Sequence, residues 1–356
     1  MTALTPGPVA ASSSWCPARS RTPALVLLAL VLVGGSVLAN LLLGAVTLSP
    51  LQVWQALSGD GDAVATDIIW NLRLPRVLVG LLVGVHFAIA GSLLQAVMRN
   101  PLADAGVLGI NAGASLAAVL AFVAAERLWG DSSPYSTFSL SLDWLPLISC
   151  GGGILAAAAV YRLGWNRGVT PVRLVLSGIA VASVLTALAT GLLAGWGSMN
   201  TETVLIWLTG SLFGRGWEHL WVLLPWSLLA LGLLPVLLAG ANLLQLGDDV
   251  ARSLGLAVEL WRFALLLLAV LFAASAVGVV GPIGFIGLIV AQVARLSCGP
   301  DLRYQLLLGP LFGALLVTLS DLLGRLLLVP AEVPIGVITS LLGVPFFIYL
   351  LARKQL

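Results

Sequence analysis

An all-α integral membrane protein of about ten transmembrane helices, with both termini cytoplasmic, is the fold class this sequence predicts. Three observations carry the prediction. First, the 356 residues are 60% hydrophobic and 9% charged, against about 25% charged in a soluble domain. Second, the apolar residues fall in long runs of roughly bilayer-spanning length, separated by short polar or Pro/Gly breaks. Third, the basic residues segregate. With the N-terminus inside, twelve of the 17 lysines and arginines fall in inner connections and five (Arg73, Arg76, Arg127, Arg215 and Arg325) in outer ones, the bias that orients membrane proteins.

Taken in order, residues 1–23 are rich in Pro, Ser and Ala and read as a disordered cytoplasmic tail. Residues 24–356 then form a single membrane domain. The apolar run after Arg19 and Arg21 is too long for a signal-peptide core and reads as a retained first span. The spans are predicted at about 24–46, 73–97, 105–125, 145–163, 172–195, 220–241, 261–280, 283–297, 307–328 and 335–352. The weakest division is between the seventh and eighth, where only Gly281-Pro282-Ile283-Gly284 interrupts the apolar run. The acidic loop of Asp60, Asp62 and Asp67 falls outside. Trp54, Trp70, Trp129, Trp144, Trp196, Trp217 and Trp221 lie near the same outer boundary, as an interfacial belt would. The 39 glycines, many inside spans, indicate close helix packing. Residues 203–212 are too few to cross and read as a half-helix at or dipping into the outer mouth, where protein or a water-filled cavity must cover its ends. Spans two to five and seven to ten fit inverted halves, a common transporter plan, although residue matches do not show the repeat.

The polar residues are few. The inner loop at about 246–258 contains Gly247, Asp248, Asp249, Val250, Ala251, Leu254 and Gly255. Asp248 suits a helix cap and Asp249 a first turn, while Val250, Leu254 and Ala257 recur at i, i+4 and i+7. This predicts a short amphipathic helix on the inner face. Its apolar stripe could enter a partner's groove or lie against the protein's own loops or the membrane. His86 stands mid-span, where an ionisable residue is either functional, here as pathway lining, or satisfied on a neighbouring helix. Asp321 and Arg325, at i and i+4, suit an ion pair along one helix face. The three cysteines, Cys16, Cys150 and Cys298, have no spacing that suggests a disulfide framework or a zinc site. No catalytic motif, Walker-type loop or dinucleotide fingerprint is present. Energy for any transport must therefore come from elsewhere, and a membrane-embedded enzyme finds no catalytic cluster. Carboxylates lie in loops or near span ends, which argues against a transporter driven by a proton or sodium gradient.

The stretch LRLPRVLVGLLVG…AGSLLQAVMRNPLADAGVLGINAGA, from Leu72 to Ala114, resembles the iron-chelate and vitamin B12 type of ABC importer permease. The resemblance continues through GDDVARSLGLAV, GVVGPIGFIGLIV, CGPDLR, LSDLLGR and PAEVPIGVITSLLGVPFFIYLL. It implies a type II importer architecture: ten helices per permease, a second permease subunit (identical or a paralogue), cytoplasmic ATPase subunits and an extracytoplasmic substrate-binding protein. It also implies a multi-pass protein of the bacterial cytoplasmic (inner) membrane, in contact with lipid, with no cofactor and no nucleic-acid partner. Iron(III)-siderophore cargo leads, with haem or vitamin B12 as the alternative. In this family Gly247 to Gly255 would meet the ATPase. Arg73, Arg76 and Arg325 would dock the binding protein. Asn100, Pro101 and Leu102, with Thr170 and Pro171, would form the cytoplasmic gate. Residues 203–212 would line the pathway, making Trp207 and Thr209 candidate lining residues beside His86. Two positions depart from the family pattern: Gln292 and Leu302 stand where relatives often carry His.

Overall fold

The structure is a computed structural model that describes residues 18–129, 144–166, 168–195, 201–329 and 331–353. Its helices are α1 (Ala18–Leu42), α2 (Pro50–Ser58), α3 (Ala63–Asp67), α4 (Leu74–Met98), α5 (Ile110–Trp129), α6 (Leu145–Gly164), α7 (Pro171–Gly195), α8 (Thr201–Leu208), α9 (Trp217–Gln245), α10 (Asp248–Ser253), α11 (Val258–Val280), α12 (Ile286–Cys298), α13 (Leu302–Leu327) and α14 (Ile335–Arg353). Among them, seven helical stretches are long and apolar enough to cross a membrane, and three shorter apolar helices complete the set of ten. These ten correspond in order to the ten predicted spans. Residues 1–17, most of the predicted tail, lie outside the described residues, and helix α1 already begins at Ala18.

The sequence reading missed the outer elements between the first two spans. Ser49 caps α2 through a reciprocal pair with Gln52. A π-helical stretch, Ile68–Arg73, then fuses α3 to α4, so one helical rod runs from Ala63 to Met98. Period counting found the apolar part of this rod but not its polar outer end, because the outer segment is too short and too mixed to register as a span.

Helix α4 is the axis of the bundle, packed most extensively against α13 and also against α11, α12 and α9. Its outer half joins one apolar cluster through Val79, Val83 and Phe87, and its inner half joins a larger one through Leu93, Leu94 and Val97. Close approach depends on glycine at the α4–α13 crossing. A Cβ on Gly84 would collide with the Gly313 backbone, and small residues are what allow lipid-embedded helices to touch.

The division between the seventh and eighth spans is real. Helix α11 stops at Val280; Gly281 (φ 81°) and Phe285 (φ 68°) take left-handed conformations, and α12 starts at Ile286. With 13 residues, α12 is about 20 Å long, less than the hydrocarbon thickness of about 30 Å. Its start therefore lies at membrane depth. At the break the Ser211 amide donates to the Val280 carbonyl at 2.8 Å, and beside it the turn after α8 is tied to α14 by the Gly336 amide donating to the Gly210 carbonyl at 3.2 Å. The predicted half-helix is α8 and the turn after it, seated against this break.

Candidate functional site

The two ends of α4 carry two separate polar clusters. At the outer end, Arg73 donates to the carbonyls of Leu41 (2.5 Å) and Val46. Its guanidinium thus closes the C-terminal end of α1, where the helix dipole favours a cation. Arg76 forks onto Asp321 (2.7 Å) and Glu332 (2.7 Å). Arg325 completes the cluster through Asp321 (3.3 Å) and Asn40, and the i, i+4 pair read from the sequence is present. The side chains of Arg73, Arg76 and Arg325 are only 6%, 13% and 8% exposed. Sequence reading presents these arginines as surface cations; the fold pairs each of them internally, Arg76 most fully. What remains opens into an outer cavity of about 600 Å³ lined by Arg73, Arg76, Arg215, Arg325, Glu218 and Glu332. Burial lowers the Arg215 guanidinium to about 10, opposed by the nearby Glu218 carboxylate.

At the inner end, α4 terminates in Arg99, a non-glycine residue at φ 47°. The Asn100 side chain accepts from the Leu102 amide at 3.0 Å, closing a tight turn. Gln292 on α12 donates to the Pro101 carbonyl at 3.0 Å and to Gln95 at 2.6 Å. The second inner turn, with Thr170 exposed and Pro171 opening α7, is pinned at Val169. The Val169 amide donates to Glu259 (3.2 Å), and its carbonyl accepts from Arg262 (2.5 Å). Arg262 also reaches Asp248 at 2.7 Å, and Asp248 meets Arg99 at 3.0 Å. Burial alone would raise the Asp248 carboxyl, but the hydrogen bond and charge of Arg262, with Arg99 and Arg252 nearby, hold it below the usual carboxylate range.

Helix α10 is shorter than the predicted amphipathic helix. It ends at Ser253, and Gly247, not Asp248, occupies its cap. Asp248 is instead held by its two arginines. Ala251 faces inward and is fully buried, while Val250 and Leu254 are 46% and 60% exposed. Asp249 and Gly255 are exposed as well.

The three predicted lining residues separate. His86 is fully buried, with its ring nitrogens 3.1 Å from the Phe272 carbonyl, 3.0 Å from Ser275 and 2.7 Å from Ser227. It joins α4 to α9 and α11 and reaches no open surface of the chain. Trp207 is packed against Ala118 and Leu145. Thr209 is exposed and lines a recess of about 390 Å³ with Pro282, Gly284, Gly336, Val337 and Ser340. Leu302, one of the two departures, sits in the main apolar cluster.

Residues missed from the sequence are Arg99, Glu259 and Arg262. Their signal was present: Glu259 and Arg262 at i, i+3, opening an otherwise apolar helix, mark an ion pair that burial would have to satisfy. Gln292 stood out as a departure, without a partner to explain it.

Residues 28–353 match the FecCD transport family. The chain belongs to the FecCD transport family. This FecCD chain is 39% identical over 316 residues to the iron(3+)-hydroxamate import system permease protein FhuG of Bacillus subtilis (strain 168), covering 89% of this chain and 93% of that one. It is 40% identical over 332 residues to the achromobactin transport system permease protein CbrC of Dickeya dadantii (strain 3937), covering 93% and 91%. It is 35% identical over 334 residues to the ferric enterobactin transport system permease protein FepG of Escherichia coli (strain K12), covering 93% and 97%. Its fold is similar to a solved inward-facing metal-chelate type ABC transporter, with a TM-score of 0.79 and 28% identity over 93% of this chain and 99% of that one.

Proposed function

We propose that this chain is the transmembrane permease subunit of an ATP-driven importer carrying iron(III)-siderophore complexes across the bacterial cytoplasmic membrane by alternating access. The observation that carries the reading is likeness over nearly the whole chain to permeases of iron-chelate import systems. The chemistry of the two ends supports it. The sequence carries no phosphate-binding loop, so ATP hydrolysis belongs to separate cytoplasmic subunits. These subunits would meet α10 and its C-cap, where exposed Val250 and Leu254 offer an apolar face beside charged residues. The outer cavity, ringed by Arg73, Arg76, Arg215 and Arg325, would receive acidic side chains of an extracytoplasmic binding protein. Asn100 to Leu102 and Thr170 to Pro171 would form the inner gate. A second permease subunit would complete the pathway, onto which the recess at Thr209 would open. The permease itself performs no bond chemistry.

The test is uptake of a radiolabelled iron(III)-hydroxamate into proteoliposomes containing the permease, its ATPase and its binding protein. ATP-dependent accumulation that requires all three is expected. Accumulation of haem or vitamin B12 instead would overturn the cargo. Uptake that persists without the ATPase and collapses with an uncoupler would overturn the mechanism.

A further inference from the structure

Asp248 lies at the start of α10, and two arginines from distant parts of the chain converge on one of its oxygens. Arg99 comes from the end of α4, next to the Asn100–Leu102 turn. Arg262 comes from the first turns of α11 and is 1% exposed. From its buried position Arg262 also reaches Glu259 (3.3 Å) and the Val169 carbonyl, just before Thr170 and Pro171. One carboxylate is therefore linked to both inner turns, and each link passes through a single guanidinium.

Glycine turns bound α10 on both sides. Gly247 (φ 109°) and Gly255 (φ 83°) flank it, both in the left-handed region that favours glycine. The six residues of α10 form a short helical piece between two glycine turns, held inward by Ala251 and Asp248. Val250 and Leu254 face outward, so a push on them is delivered within one or two turns to Asp248. Packing alone does not explain the cluster. A buried ion pair is often no more stable than an apolar replacement of the same shape, and the Arg262 Nε has no hydrogen-bond partner. A buried donor left unsatisfied calls for a reason other than stability. The Arg99–Leu102 turn is also strained at Arg99 (φ 47°) and is gripped from its other side by Gln292. It is thus a short turn held at two points, one of which belongs to α10.

We propose that Asp248, Arg262 and Arg99 form a transmission that ties α10 to both inner turns, with Arg262 as the positioning residue, so that displacement of α10 by its cytoplasmic partner moves the Asn100 and Thr170 turns together. This inference rests on the reading of α10 as the ATPase-contacting element. Loss of Arg262 leaves the Val169 turn tied to α10 only by the longer Arg252–Glu259 pair (3.8 Å), and loss of Arg99 frees the Asn100 turn. Loss of Asp248 breaks both of the links that pass through its carboxylate.

The experiment uses the full importer in proteoliposomes, with three readouts: ATPase co-purification, ATP hydrolysis, and iron-chelate transported per ATP hydrolysed. For Arg262→Gln, co-purification and hydrolysis are expected to stay within about twofold of the wild type, while transport per ATP falls at least about tenfold. The conservative Arg262→Lys, which can reach one partner but not all three, is expected to recover part of that loss. Combining Arg262→Gln with Asp248→Asn is expected to cost no more than the worse single variant, as for residues acting as one unit. Arg99→Gln, at the more exposed end of the cluster, is the second variant should Arg262→Gln fail to fold, and the same loss of coupling is expected of it. Unchanged transport per ATP in well-inserted Arg262→Gln or Arg99→Gln would overturn the transmission, as would fully additive effects in the double variant. Leu254→Asp separates the underlying reading: it is expected to abolish co-purification, and if the ATPase stays bound, the assignment of α10 fails independently of the transmission.

Discussion

His86 and Asp248 are both ionisable residues that the sequence marks as conspicuous, and their surroundings give them opposite roles. His86 is enclosed by Phe272, Ser227 and Ser275, with every polar atom of its ring in hydrogen-bond range of a partner. Its role is to hold α4 to α9 and α11. His86→Ala is expected to cost about 2–4 kcal/mol through a cavity and two weakened serine contacts, and to leave cargo preference unchanged in protein that folds. Thermal unfolding in detergent and competition uptake check both parts; a changed cargo preference with unchanged stability would restore His86 to the pathway. Asp248 sits at the aqueous boundary. Its carboxyl is held below its usual range, so its ion pairs stabilise the inner loops above the unfolded-state value of about 3.9 and are lost as pH falls through the lower folded value. Proteolytic or exchange protection of residues 247–255 is therefore expected to persist near neutrality and to fall below about pH 4, with Asp248→Asn lacking that acid-side change.

Among the elements, the break between α11 and α12 is the most demanding. Gly281 adopts φ 81° and its α-carbon abuts the Trp207 carbonyl on the α8 side, where a Cβ would collide. Gly281→Val is expected to displace the α8 turn and to close or distort the recess at Thr209, with loss of transport but retained membrane insertion. Cysteine accessibility at Thr209 measures the displacement, and wild-type accessibility in the variant would refute it. Sequence reading located this break only weakly, because glycine and proline interrupt an apolar run without announcing that the backbone reverses direction. The α8 half-helix was more legible: its length alone forbids a crossing, and a segment that cannot cross must be covered. The outer α2 and α3 helices were missed for the opposite reason. They are held by the Ser49–Gln52 cap and by fusion to α4, neither of which leaves an apolar period.

For the whole molecule, the outer arginine cluster ties distant parts of the chain together. Arg73 closes α1, Arg76 joins α4 to α13 and to the loop carrying Glu332, and Arg325 joins α13 to α1. Arg76→Met leaves Asp321 and Glu332 without their shared cation and is expected to cost about 3 kcal/mol or more, read as a lower midpoint of thermal unfolding. A neutral effect would refute a structural role for the cluster. Composition and span length were enough to establish a ten-helix membrane bundle, because water-to-lipid transfer acts on each residue locally and in order along the chain. They also located the two inner turns and the loop at Asp248. Which of those polar residues face each other is a different matter. Arg99, Asp248, Arg262 and Val169 meet, His86 is sealed, and the outer arginines are turned partly inward, because helices packed through contacts such as Gly84 against Gly313 bring together groups from different helices, and no local period in the sequence encodes that proximity.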